Sequence, residues 1–168
     1  MTDIFQEMDS AIERDSSLAA VAKLMQDSAR IWIKIRFTNR YEAKIRIRQK
    51  TGHPMAICRT LWGGSYTGQK RRKIQRSVTH VWEISGKNAY KVAKEMFPFL
   101  GGAQQARLLC LIEFYEECFI ARGDLGIGIR TPLTYKELRL RGQFMERMTF
   151  ITQLEQEQQV LEQEQQND

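Results

Sequence analysis

The spacing of apolar residues changes period several times along the chain. Ile4, Phe5, Met8 and Ile12 recur at helical spacing, so residues 3–14 read as a short amphipathic helix. Asp15 and Ser16 interrupt the pattern and are expected to cap a second helix over residues 17–28, whose apolar positions are Leu18, Val21, Leu24 and Met25. From Arg30 the period falls to two. Ile31, Ile33, Ile35 and Phe37 take one face, and Trp32, Lys34, Arg36 and Thr38 the other. After a turn at Asn39 and Arg40 the alternation resumes, with Tyr41, Ala43, Ile45 and Ile47 inward and Glu42, Lys44, Arg46, Arg48 and Lys50 outward. This predicts a β-hairpin with one apolar and one basic face.

Gly52 and Pro54 end the hairpin, and Met55, Ala56, Ile57, Leu61 and Trp62 form a short helix stopped by Gly63 and Gly64. Residues 65–70 and 78–85 read as a second hairpin, joined by a loop carrying Lys70, Arg71, Arg72, Lys73 and Arg76. Helices are expected over 88–97, closed by Pro98, and over the apolar stretch 104–118. Residues 122–132, rich in glycine, read as a loop. Thr134 and Glu137 then form a capping box for a helix from Tyr135 to about Leu154. The Gln/Glu-rich tail 153–168 has five acidic residues and no basic one, and reads as a frayed helix or solvated tail. The expected fold is α/β (α+β): a four-stranded antiparallel sheet with helices on its apolar face and the other face open.

A length of 168 residues suits one domain, and 42% hydrophobic with 27% charged residues suits a packed core rather than disorder. The net charge of +6 conceals a division. Between Lys34 and Arg76 stand 13 basic residues and one acid, Glu42, so that segment carries +12 and the remainder −6. Cys58, Cys110 and Cys118 are an odd set without C-x-x-C spacing, which predicts free thiols and a reducing compartment, cytoplasmic (nucleoid) or organellar. His53 and His80 are too few for a structural zinc site, and His80, beside Trp82 in a strand, reads as a hydrogen-bonded structural residue. No basic leader or long apolar run predicts export or a membrane span.

Like charges gathered on one sheet face repel one another unless a polyanion compensates. A two-stranded ribbon fits the major groove of B-DNA, where Arg, Lys and Gln can read base edges. The residues expected on DNA are Lys34, Arg36, Lys44, Arg46, Arg48 and Lys50 from the hairpin, and Lys70, Arg71, Arg72, Lys73 and Arg76 from the loop. The alternative is a merely solvated face. An RNA-binding sheet of the stacking type needs several exposed aromatics, and this face offers only Trp32, so duplex DNA is the favoured partner.

In element order, residues 18–118 resemble the single-motif LAGLIDADG homing endonucleases. The resemblance is carried by IRIRQK, LWGGSYTGQKRRK, HVWEISGKNAYKVAKEMFPFL and QARLLCLIEF between Arg46 and Phe114, which follow the family's strand, helix, G-G-S turn, basic loop, W-x-I-S-G, helix, P-[YF]-L and final helix. It implies an αββαββα unit whose saddle-shaped sheet lies in the DNA major groove, and a homodimer through the helix 17–28. By the same resemblance residues 1–121 would form the DNA-binding domain, with 1–15 as a helical lead-in. A loop and C-terminal helix over 122–152 and the tail 153–168 would follow.

The departure lies in the motif itself, which here reads Val21, Ala22, Lys23, Leu24, Met25, Gln26, Asp27, Ser28, Ala29. Ser28 stands where the family's metal-binding acid belongs, and Lys23 where close helix packing wants glycine. Gly102, Ala103 and Gln104 replace the lysines that members often carry after P-[YF]-L. A serine hydroxyl is a poor ligand for Mg²⁺, the family's cofactor. The resemblance therefore implies a DNA-binding protein with weakened or lost cleavage. Two alternatives remain: an active Mg²⁺-dependent endonuclease using Asp27 as catalytic and metal-binding residue, and an intron RNA-binding splicing helper. Asp27 with Glu42-Ala43-Lys44 also matches a D…[DE]-x-K nuclease pattern, a combination expected often by chance.

Overall fold

The computed structural model describes residues 3–36, 40–70, 78–126 and 131–167. It opens with a single helix, α1 (Asp3–Ser28), where two were expected. Asp15 and Ser16 do not cap a second helix; they lie exposed within the first. Short polar residues favour caps only where the backbone leaves groups unpaired, and a solvent-facing position inside a helix tolerates them. No Gly or Pro in the segment breaks the ladder. Leu18, Val21, Ala22 and Met25, at spacings of three, one and three, make its buried stripe.

The hairpins β1 (Ala29–Arg36) with β2 (Arg40–Gln49) and β3 (Ser65–Lys70) with β4 (Val78–Ser85) join into one antiparallel sheet of order β1-β2-β4-β3. The β2–β4 register sets Ile45 beside Ile84 and Ile47 beside Trp82. With Ile31, Ile33 and Ala43 these side chains form the buried face, against which α1, α3 (Gly86–Met96), α4 (Gly102–Tyr115) and α6 (Tyr135–Asn167) supply Met25, Val92, Leu108, Phe114 and Phe144. Ile35 keeps the inward register but is 48% exposed. Alternation assigns a face, whereas the reach of the covering helices decides how much of it is buried.

Between the hairpins α2 (His53–Trp62) runs into Gly63 and Gly64. At Gly64, φ is +84° and a Cβ would lie 2.7 Å from the Glu83 carbonyl oxygen, so only glycine fits. That close approach lets the fully buried Trp82 donate its Nε1–H to the Gly63 carbonyl at 2.8 Å. Glu95 of α3 ties the helices together, accepting from Arg14 at 2.6 Å and from Trp62 Nε1 at 2.7 Å.

Two boundaries differ from expectation. The start of the expected 122–132 loop is helical: α4 continues through a π-turn, Glu116–Ile120, into the short α5 (Ala121–Asp124). Arg122 is buried there and donates to the carbonyls of Thr131 (2.9 Å) and Pro132 (3.1 Å), fixing the loop's far end. Thr134 and Glu137 form the expected capping box, the Thr134 N–H donating to the Glu137 carboxylate at 2.7 Å and the Glu137 N–H to Thr134 Oγ1 at 3.3 Å. From this cap α6 continues to Asn167, past Leu154, because Gln and Glu are good helix formers. The buried Arg107 of α4 pairs with Glu155 and holds the first part of the extension.

Candidate nucleic-acid interface

The outward positions of β1, β2 and β4 are fixed by the same register that buries the inward ones. Arg30 lies opposite Arg46, Trp32 opposite Lys44, and Lys34 opposite Glu42. On the other side of β2, Arg46 faces Glu83 and Arg48 faces Val81. Arg30, Arg48 and Lys50 are exposed, and Lys34 is half-buried.

Lys44 and Arg46 depart from the expected row of solvated cations. Lys44 is only 6% exposed, and its Nζ donates to Glu83 Oε1 at 2.5 Å, with Glu42 at 3.9 Å. Arg46 donates through Nε to Glu83 Oε2 at 2.7 Å and pairs with the same oxygen through Nη2. Lys44 is thus turned into an ion pair within the sheet face and away from solvent. The acid responsible, Glu83, lies beyond the basic segment in sequence and reaches its centre through β4 pairing. Burial opposes ionisation of Glu83, but hydrogen bonds and charge from Lys44 and Arg46 outweigh it and hold its pKa below the usual carboxylate value. Trp32 is flanked by two guanidinium groups, Arg46 at 5.1 Å and Arg30 at 5.6 Å from its ring centre.

Among the other expected DNA-contacting residues, Arg36 and Lys70 end their strands and their side chains lie outside the described residues, as do Arg71, Arg72, Lys73 and Arg76 entirely. Arg30, which precedes the basic segment, was missed by charge counting. Strand periodicity could have found it, since it shares the outward face with Trp32 and Lys34. His80 is structural, as expected: its Nδ1 is 2.7 Å from the Tyr66 hydroxyl.

Near the sheet's edge, three glutamine amides close the end of α1. Gln26 accepts from the Gly101 N–H at 3.0 Å and donates to the Gly101 carbonyl at 3.4 Å. Gln49, the last residue of β2, donates to Ser28 Oγ at 2.6 Å. The buried Gln104 of α4 donates to the Ala29 carbonyl at 2.8 Å. Asp27 and Lys23 are exposed beside this array.

No protein-family model matches the chain, and no curated protein matches it in sequence. Solved structures do. The homing endonuclease I-CvuI, in complex with target DNA that remains uncleaved in the presence of Mg, is 11% identical, with a TM-score of 0.51 over 79% of this chain and 96% of that one. The chain has the fold of a homing endonuclease. An archaeal intron-encoded homing endonuclease complexed with DNA (10% identity, TM-score 0.45, 82% and 99% of the two chains) and the LAGLIDADG homing endonuclease I-SmaMI bound to cleaved DNA (15%, 0.46, 75% and 48%) are also similar.

Within this homing-endonuclease fold the residues at the end of α1 do not suit the divalent ion of such enzymes. Mg²⁺ is bound through carboxylates together with substrate phosphates. Ser28, Gln49 and Gln104 offer neutral oxygens, and Ser28 already accepts a hydrogen bond. Asp27 is exposed, and among the described residues no three His, Cys, Asp or Glu side chains come together to hold a metal. Nor, among those residues, is any helix long and apolar enough to cross a membrane.

Proposed function

We infer that the protein binds duplex DNA through the outer face of its sheet and does not cleave it. The observation that carries the binding reading is the exposure of Arg30 and Arg48 on the outward face of the sheet, with Lys34 on the same side and the exposed Lys50 just past the end of β2. Strand geometry and charge both suit this surface to a major groove. I-CvuI, of the same fold, was solved on target DNA. Loss of cleavage is supported by the uncharged side chains of Ser28, Gln49 and Gln104 gathered where α1 ends. Ser28 takes the place of the motif's acid, and its hydroxyl is engaged with Gln49. Asp27, one residue away, is rotated by about 100° on the helix and turned to solvent. Ser28 thus leaves a degenerate motif whose helix keeps its packing role through Val21, Ala22 and Met25. The protein is expected to act as a twofold pair on a pseudo-palindromic site.

The test incubates the full chain with a mixed duplex library and Mg²⁺ or Mn²⁺, and sequences the bound and the cut molecules separately. Enrichment of bound duplexes without cut ends is the expected result. Cleavage that Asp27→Asn abolishes would overturn the non-cleaving reading, and stronger retention of structured RNA than of any duplex would overturn the choice of partner. Light scattering with and without the selected duplex reports the pairing.

A further inference from the structure

Arg46 is held differently from the other cations of its face. One edge of its guanidinium, Nε and Nη2, is spent on a single oxygen of Glu83, whose other oxygen takes Lys44 at 2.5 Å. The guanidinium also lies 5.1 Å from the Trp32 ring centre. A guanidinium has five N–H donors in a planar fork, so the end carried by its two Nη nitrogens still has donors to offer. With its side chain 34% exposed, Arg46 can present that end outward.

An arginine fixed in this way has already given up its rotamer freedom. It suits a planar, bidentate acceptor of set geometry, and suits poorly the tracking of a winding phosphate chain. In the major groove the matching acceptor pair is O6 and N7 of guanine. We propose that Arg46 reads a guanine, and that Glu83 is the positioning residue that aims it while Trp32 supports the guanidinium plane. The inference rests on the duplex-binding reading above. It divides the face into a fixed reading centre, Arg46, and outlying phosphate-contacting cations, Arg48 and Lys50. Lys44 neutralises Glu83 and contacts no DNA.

The unaltered protein, Glu83→Gln and Arg46→Lys are each used to select from a randomised duplex library. Affinity for a duplex lacking G·C pairs is measured across a salt series. The protein as it stands should demand guanine at one position of each half-site. Glu83→Gln keeps the shape but cannot hold two cations, so the guanine preference should fall about tenfold. Affinity for the duplex lacking G·C pairs should meanwhile rise, with a salt slope steeper by about 1 to 2 for each bound protomer, as Arg46 and Lys44 become free for phosphates. Arg46→Lys keeps the charge and leaves Glu83 paired, yet should lose the same preference because it lacks the fork. An unchanged base preference in either variant overturns the proposal. So does a uniform weakening of all sequences by Glu83→Gln, or duplex binding by the unaltered protein with no base preference; these results leave the DNA-binding reading intact. Failure of the unaltered protein to retain any duplex overturns both.

Discussion

Replacing Arg48 and Lys50 by alanine should weaken DNA binding in a way that salt exposes, and replacing Lys44 by methionine should not. Arg48 and Lys50 are exposed and join no ion pair among the described residues. Each phosphate neutralised on B-DNA contributes about 0.9 to the slope of log K against log salt. The double variant should therefore flatten that slope by about 1.8 for each bound protomer, or about 3.6 for the twofold pair. Between about 50 and 200 mM salt, a fourfold range, the unaltered protein should lose roughly a hundredfold more affinity than the variant when both bind as pairs, and roughly tenfold more if one protomer binds. Lys44 carries the same formal charge but is 6% exposed and bonded to Glu83, so Lys44→Met should leave the slope unchanged. Its cost should appear instead in stability, at about 1.5–3 kcal/mol for a charged hydrogen bond, with Arg46 still neutralising Glu83. Fluorescence anisotropy of a labelled duplex over a salt series, with thermal melts of the free proteins, measures both. Equal flattening by Lys44→Met, or none by the double variant, would refute the division between solvated and internally paired cations.

Two further predictions concern stability and thiol chemistry. Burial works against the charge on Glu83 and Glu95, but Lys44 and Arg46 on the first, and Arg14 and Trp62 on the second, pull both pKa values below normal. A depressed folded-state pKa contributes stability above the unfolded value and loses it as pH falls through the folded one. Melting temperature should therefore hold down to about pH 5 and decline below about pH 4, less steeply in Glu83→Gln; an identical acid limb in that variant would contradict the role given to Glu83. Burial also pushes the Cys58 thiol up to about 12 and those of Cys110 and Cys118 up to about 11. Mass spectrometry after iodoacetamide at neutral pH should find no alkylation of the folded protein and three adducts after denaturation, whereas rapid native labelling would mean that these sites open readily.

The motif helix shows where reading the sequence succeeds and where it stops. Substitution of Ser28 for an acid is visible in the chain alone, because charge is a property of the residue. What Ser28 does instead depends on Gln49, 21 residues away, which the β1–β2 pairing brings to the helix end. Gln104, noticeable in sequence only as the absence of a lysine, proves to be a buried donor to the Ala29 carbonyl.

Alternation of apolar and polar residues determined the first hairpin and its inward face, and helical spacing most of the helices that cover it, because a strand's side chains change sides at every residue and a helix's recur every 3.6. Those periods act over a few neighbours and need no knowledge of the rest of the chain. Charge along the sequence likewise located the basic face. Only the tertiary structure decided which of those charges remain in solvent. Glu83 lies 37 residues from Arg46 and enters the basic face because β4 pairs with β2, and Coulombic attraction acts on distance in space rather than on separation along the chain.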